Sequence, residues 1–487
     1  MDDKLTEDRR SKLAPLTALG VDPFGTRLDG VLSTAYVREK IERTGTQPGQ
    51  TVAGVPNRLA GRVVRLRGHG NLIFFDLRDS SGDLQVGVSK KAVSPQDWAA
   101  LKLTDLGDLL AVEGLPGRTR AGEPTLWAHR LWVMCKALRQ PPEKWHGLAD
   151  VEARYRQRYV DLFSNPASMR VFRDRLTILG SIRQTLADAG FVEVETPTLQ
   201  PIYGGAAARP FTTHHHTLDI DLYLRISPEL YLKRLLVGGM ERVFEISRNF
   251  RNEGISTRHN PEFTMLECYQ AYGDYHDMME LLESMVISAI DRLGGGYRRP
   301  FGEMTIDFTP PWSRVRYADL FTEHVGCDML DADAVRAAAG RHGIATEQKH
   351  PQVVVNELFE ACAADTLIDP TFVLDYPAEI CPLTRRCPDN PALALRFEAF
   401  ASGGMELGNA YTELNDPDVQ RRTLSAQLSG EGDETMRVMD EDFLTALEYG
   451  MPPAGGMGVG IDRLVMVLTN RTSIRDVILF PLQRPKG

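Results

Sequence analysis

The sequence predicts an α+β protein in two parts: a small barrel or sandwich of short strands, then a larger domain in which antiparallel strands alternate with amphipathic helices. Two observations carry most of this expectation. Between residues 59 and 134, alternating runs of strand length (LAGRVVRLR, NLIFFDLRD, LQVGVS, LLAVEGLPG, TLWAHRLWVM) are separated by turn residues, the pattern of half-buried strands. At Gln140-Pro141-Pro142 that pattern stops, and the charged, helix-like stretch ADVEARYRQRYVDLF follows. The length of 487 residues, about three times an ordinary domain, agrees with two or more domains.

Hydrophobic residues at 43% and charged residues at 25% are ordinary globular values. The first ten residues, MDDKLTEDRR, are charged, and no stretch approaches the roughly 18 apolar residues of a membrane helix, so a soluble, cytoplasmic chain is expected. Cysteines 135, 268, 327, 362, 381 and 387 lack the spacing of a zinc or redox motif and read as reduced. The net charge of −10 argues against a nucleic-acid partner only if it is uniform. It is not: residues 1–144 carry 22 Lys and Arg against 17 Asp and Glu, and the remainder 34 against 49. Between Glu42 and Asp76 no acidic residue occurs, while Arg43, Arg58, Arg62, Arg65 and Arg67 all fall there. Such a patch suits phosphates, or is simply a solvated face.

Along the chain, Leu5, Leu13, Leu16 and Leu19 give residues 4–20 helical spacing, ending at Gly20. In the strands that follow, alternation puts Ile73, Phe75 and Leu77 on one face and Leu72, Phe74 and Asp76 on the other. Phe74 and Gln85 then lie outside the core near several arginines, either as a base-stacking surface or as an edge under a loop. The domain boundary is placed at 144, giving units 1–144 and 145–487. The second contains an amphipathic helix at 170–189 and a helix-rich stretch at about 274–366.

Three clusters carry chemistry. Residues 242–250 and 262–272 read as an antiparallel pair around the polar loop RNEGISTRHNP. Arg251 and Glu253 share one side of the first strand by parity, and Phe263, Met265, Glu267 and Tyr269 share one side of the second. A triphosphate beside an adenine ring satisfies such a set: an arginine fork grips phosphate or carboxylate, His259 and Asn260 stand in the loop, and Phe263 offers a stacking plane. A solvated surface hairpin is the alternative. Near the C-terminus, Gly456, Gly458 and Gly460 leave one strand face bare before a helix that carries Arg463 in its first turn. This is room for a flat ligand, or close packing. Glu398, Glu406, Asn409 and Glu413 form a carboxylate-rich stretch that suits Mg²⁺ beside phosphates, or a solvated acidic surface. Asn409, Tyr411 and Glu413 share strand parity and Glu406 does not, so a bulge at Gly408 is expected.

Phe250 to Phe263 (FRNEGISTRHNPEF) resembles motif 2 of the class II aminoacyl-tRNA synthetases. Gly456 to Arg463 resembles motif 3, and residues 190–197 (GFVEVETP) motif 1, the dimer-interface element. With a small barrel in front, the order is similar to the lysine, aspartate and asparagine subgroup. The wording GGAAARPF, RISPELYLKRL, NAYTELND and GIDRLVMVLTNRTSIRDVILFP resembles the bacterial lysyl-tRNA synthetases over residues 9–484. The resemblance implies an antiparallel-sheet catalytic domain behind an OB-fold anticodon-binding domain, with ATP, L-lysine and tRNA(Lys) as substrates, Mg²⁺ as cofactor and a homodimer. It implies that Arg251 bridges the lysine carboxylate and the α-phosphate, and that Glu253, His259, Asn260, Phe263 and Arg463 hold ATP. Gly205 and Glu229 would take the α-amino group with Asn409 nearby, and Tyr269 and Glu413 the side-chain ammonium. Glu398 and Glu406, one residue farther apart than usual, would hold Mg²⁺, and Arg67, Phe74 and Gln85 would read the anticodon. Independently of the wording, a pocket ending in Glu413 suits a cationic side chain, whereas one for aspartate should end in a cation. The rival readings are an aspartyl- or asparaginyl-type enzyme, or a lysine ligase acting on a protein such as elongation factor P.

Overall fold

The computed structural model describes residues 2–142, 148, 150–206, 208–347, 349–428 and 439–485. The expected boundary at 144, and Ala207 of the GGAAARPF segment, lie outside the described residues. The chain divides into two compact units, Met1–Leu148 and Ala149–Gly487.

In the first unit, strands Asn57–His69, Leu72–Arg78, Asp83–Ser89, Leu109–Arg118 and Pro124–Cys135 close into a barrel. The first pairs antiparallel with the second and the fourth, the third runs parallel to the fifth, and the fifth returns antiparallel to the fourth. Barrel rather than sandwich follows from the long first strand. Its first half pairs with one neighbour and its second half with the other, across a register shift between Val63 and Arg65. Leu59, Phe75, Leu77, Leu84, Val86, Val112 and Leu126 fill the interior. At Gly114 an added Cβ would stand 2.1 Å from the Trp127 carbonyl oxygen. Gly114→Ala is therefore expected to lower stability by roughly 1–3 kcal/mol, measured as a lower unfolding midpoint. The single helix expected over residues 4–20 is instead two, Asp2–Ser11 and Leu13–Ala18. Pro15 has no N–H, and its ring crowds the carbonyl four residues earlier, so the helix breaks there.

The second unit is built on an eight-stranded sheet in the order Ser313–Arg316, Thr371–Pro377, Leu393–Ala401, Met405–Thr412, Ala454–Gly460, Glu262–Ala271, Arg242–Phe250, Val192–Glu193. Its interior pairs are antiparallel, and only the two edge strands join in parallel. Helix Tyr275–Leu293 starts at a capping box formed by Asp274 and Asp277. It packs Met278, Met279, Leu282 and Val286 with Leu266, Cys268, Met457 and Val459 of the sheet in one core, to which helix Pro166–Asp188 adds Ile178, Ile182 and Leu186. Each such apolar side chain contributes about 1.5–3 kcal/mol on burial. Helices Tyr317–Val325, Ala332–His342 and Pro351–Cys362 form a second core around Tyr317, Phe321 and Phe359. Since Leu266 and Cys268 face the long helix, alternation turns Met265, Glu267 and Tyr269 to the opposite face of the sheet, where the site lies.

Candidate active site

Three neighbouring strands build the floor of the site. Gly456 lies beside Tyr269 and Tyr411, Gly458 beside Glu267 and Asn409, and Gly460 beside Met265. The absent side chains are space for the neighbours: a Cβ at Gly456 would stand 2.0 Å from Glu413 Oε1 and 2.5 Å from the Tyr269 ring. The next strand carries a bulge. Ala399 pairs with Gly408 and Phe400 with Glu406, leaving Leu407 as the extra residue. This resolves the parity conflict in the sequence, because it turns Glu406 to the face of Glu398 and Asn409. Asn409 Nδ2 then donates to Glu406 Oε1 at 2.8 Å.

At the mouth, strand parity failed for Arg251 and Glu253. The strand ends at Phe250, and both residues sit in the loop that follows. Arg251 is held there by its backbone N–H, which donates to the Pro261 carbonyl at 2.9 Å. Its guanidinium lies 5.1 Å from the centre of the Phe263 ring, and its Nε is buried with no hydrogen-bond partner. Asn260 donates to the Glu262 carbonyl at 2.6 Å while its Oδ1 is buried and unpaired. Buried polar atoms without partners are costly and suit a ligand. Burial and then Arg463 hold the His259 imidazole below its ordinary range, so it is neutral near pH ~7. Nε2 therefore accepts from Arg463 at 3.3 Å, and Nδ1–H donates to Ser256 Oγ at 3.0 Å. Arg463 also reaches Glu406 Oε2 at 3.3 Å. Beside it, Asp462 anchors the helix start by accepting from the Thr264 N–H at 2.7 Å and from Arg175 at 2.6 Å.

Two adjoining cavities result. Arg251, Glu253, His259, Asn260, Phe263, Glu406, Asn409 and Arg463 line the first. Gly205, Glu229, Arg251, Tyr269 and Asn409 line the second, of about 490 Å³. Arg251, Met265, Asn409 and Gly458 belong to both. Gly205 is in the left-handed region (φ 84°), and a Cβ there would stand 3.0 Å from Glu229 Cβ.

Two expected residues line neither cavity. Glu398 is held by Tyr376, whose hydroxyl donates at 3.0 Å, and by Arg396. Burial, with Glu406 adding, raises its carboxyl above the ordinary range against the pull of Arg396. Glu413 is only 1% exposed and lies on the cavity side of the sheet, behind Gly456 and Tyr269, where Lys233 Nζ stands 2.5 Å from its Oε2. The same Nζ is 2.6 Å from Glu229 Oε1.

Sequence reasoning assigned no role to Lys233 or Glu267. Glu267 lines the second cavity, accepts from Ser227 at 2.8 Å and from the Tyr269 hydroxyl at 3.2 Å, and is pushed up to about 8 by burial and then by Glu229. Its strand parity with Tyr269 was the available signal. Lys233, four residues after Glu229 in helix Glu229–Val237, gave none beyond that spacing.

On the barrel, Arg67 pairs with Phe74, Phe74 with Gly87, and Gly87 with Trp127, all across the outer face. Phe74 meets Trp127 edge-on at 5.8 Å. Gln85 is on this face but covered, at 9% exposure, because Arg67 donates to its Oε1 at 2.9 Å and its Nε2 donates to Thr125 at 2.8 Å.

Residues 150–484 match the family model of tRNA synthetases class II (D, K and N), and residues 58–134 match that of the OB-fold nucleic acid binding domain. The chain is 50% identical to a lysine-tRNA ligase of Moorella thermoacetica, over 98% of this chain and 97% of that relative. It is 47% identical to one of Pelotomaculum thermopropionicum (99% and 95%) and 46% identical to one of Staphylococcus aureus (98% and 98%). With that agreement over nearly its whole length, the chain belongs to the class II tRNA synthetases (D, K and N), with an OB-fold nucleic-acid-binding domain in front.

Proposed function

We propose that this chain activates L-lysine with ATP to lysyl-adenylate and transfers the lysyl group to the 3′ end of tRNA(Lys). The observation that carries the reading is Arg251, which lines both cavities and so stands where a substrate in one meets a substrate in the other. In this reading Glu253, His259, Asn260, Phe263 and Arg463 bind ATP in the first cavity. In the second, Gly205, Glu229 and Asn409 place the α-amino group, and Tyr269 and Glu413 serve the side-chain ammonium. A lysine carboxylate oxygen then attacks the α-phosphorus, the bond to the β-phosphate oxygen breaks, and pyrophosphate leaves. Arg251 neutralises charge that builds on the α-phosphate, and the two cavities hold the reactants in line. In the second step a 3′-terminal hydroxyl of the tRNA attacks the acyl carbon and AMP leaves.

Glu398 and Glu406 fit a magnesium ion. Both are hard oxygen donors on one face: Glu406 lines the ATP cavity and would hold the ion, with Glu398 behind it, tied to Tyr376 and Arg396, and the remaining ligands would come from phosphates and water. Once bound, the ion would supply positive charge to the triphosphate. We further propose a homodimer through the motif 1 element, because Val192 within it and Leu199 just after it are exposed at 53% and 46%, each on the edge strand of a sheet. No helix of the described residues is long and apolar enough to cross a membrane.

ATP–pyrophosphate exchange measured across a panel of amino acids tests the substrate. Lysine is expected to drive it, and exchange driven by aspartate or asparagine instead overturns the assignment. The barrel supports tRNA over a protein acceptor. Phe74→Ala removes one stacking ring, so it is expected to weaken tRNA(Lys) binding by about tenfold while leaving lysine-dependent exchange unchanged. Filter binding and exchange assays read the two effects separately.

A further inference from the structure

The deep end of the second cavity is out of charge balance. Glu229 and Glu413 each approach Lys233 Nζ, at 2.6 and 2.5 Å, and Glu267 stands close enough to Glu229 for the two to repel. Around them, helix Glu229–Val237 contributes Glu229 and Lys233, strand Glu262–Ala271 contributes Glu267 and Tyr269, and Tyr411 stands on the neighbouring strand. Helix Glu441–Glu448 packs Phe443 and Leu447 against this region, and its Asp442 and capping Asp440 pair with Arg234 of helix Glu229–Val237. Of the nearby guanidiniums, Arg396 is paired with Glu398, and Arg251 lies at the junction with the first cavity. Three carboxylates therefore share one internal ammonium. Glu413 Oε1 is buried without a partner, and Oε2 meets Lys233.

We propose that Lys233 is a positioning residue for amino-acid recognition: it fastens Glu229 to Glu413 and leaves a deficit of two positive charges, which the two ammonium groups of lysine supply. The proposal rests on the lysine reading of the site and explains how the site selects a diammonium substrate. An amino acid with a neutral side chain supplies one charge and leaves a buried carboxylate uncompensated. A single cation between two carboxylates also fixes their separation, since without it they would repel and part.

The free pocket should carry extra protons. Lys233 keeps its own: burial works against its charge, but Glu229 and then Glu413 outweigh burial and hold the ammonium above its ordinary range. The deficit therefore falls on the carboxyls. Burial raises Glu267, with Glu229 adding, and burial raises Glu413, with Lys233 opposing and Glu229 adding. Near neutral pH a proton therefore sits chiefly on Glu267, which no ammonium contacts, while Glu413 keeps Lys233 at 2.5 Å. Lysine binding displaces that proton, so affinity rises with pH until lysine itself loses protons.

The test uses the full-length protein. In wild type, calorimetry of lysine binding at about pH 7, in buffers of different ionisation enthalpy, is expected to show net proton release of about one or more per site. Lysine binding with no proton release overturns the proposal. Lys233→Met keeps the stem and removes the charge. It is expected to raise the Kd for lysine about tenfold or more at about pH 7, with partial recovery near pH ~9, while ATP affinity stays unchanged. An unchanged lysine Kd, or a loss that is equal at both pH values and shared by ATP, overturns it. If that variant does not fold, the wild-type calorimetry decides alone. Failure of the substrate reading is distinguishable, because wild-type exchange would then be driven by another amino acid.

Discussion

Arg251→Ala is expected to slow lysine-dependent ATP–pyrophosphate exchange by about a hundredfold or more, a transition-state loss of about 3 kcal/mol. The size follows from position. Arg251 is common to both cavities, and its Nε is buried with no partner, so the guanidinium is preorganised for something the free protein does not contain. Charge accumulates on the α-phosphate as the carboxylate attacks, and a guanidinium already in place stabilises it without reorganisation. Arg251→Lys should recover little of the loss, because an ammonium keeps the charge but not the planar fork that spans carboxylate and phosphate. Rates measured at saturating lysine and ATP separate this effect from weakened binding. Near-normal adenylate formation by Arg251→Ala would remove Arg251 from the mechanism.

Local patterns in the sequence account for much of this site. The alternation in residues 242–250 and 262–272 and the glycines at every second position from 456 to 460 describe three strands that the structure places side by side. The conflict of parity at Glu406 required a bulge, expected at Gly408 and found one residue earlier, at Leu407. Parity misled where it was carried past the end of a strand: Arg251 and Glu253 follow Phe250 into a loop whose path is set by hydrogen bonds such as Asn252 N–H to the Arg209 carbonyl, which a local pattern does not encode. The same limit hid Lys233. Its partner Glu413 is 180 residues away in the chain, and a buried ion pair of that kind leaves no periodicity to read. Gln85 was legible as to face but not as to cover, because its burial depends on Arg67 and Thr125 from two other strands.

Gly456→Ala is expected to raise the KM for lysine by about a hundredfold while leaving the KM for ATP within about twofold of wild type. The added methyl would come 2.0 Å from Glu413 Oε1 and 2.5 Å from the Tyr269 ring, closer than any packing allows. Neither neighbour can retreat freely: Glu413 is tied to Lys233, and Tyr269 donates to Glu267. The deep end must therefore rearrange, and the groups proposed to receive lysine move together. The ATP cavity is spared because its floor is Gly458 and Gly460, not Gly456. Gly460→Ala serves as the control, since a Cβ there meets only the Arg463 side chain, at an ordinary 3.6 Å. That change should leave lysine KM unaltered. Equal losses of lysine and ATP in Gly456→Ala, or an unchanged lysine KM in a folded protein, would mean that the amino acid does not bind against Glu413 and Tyr269.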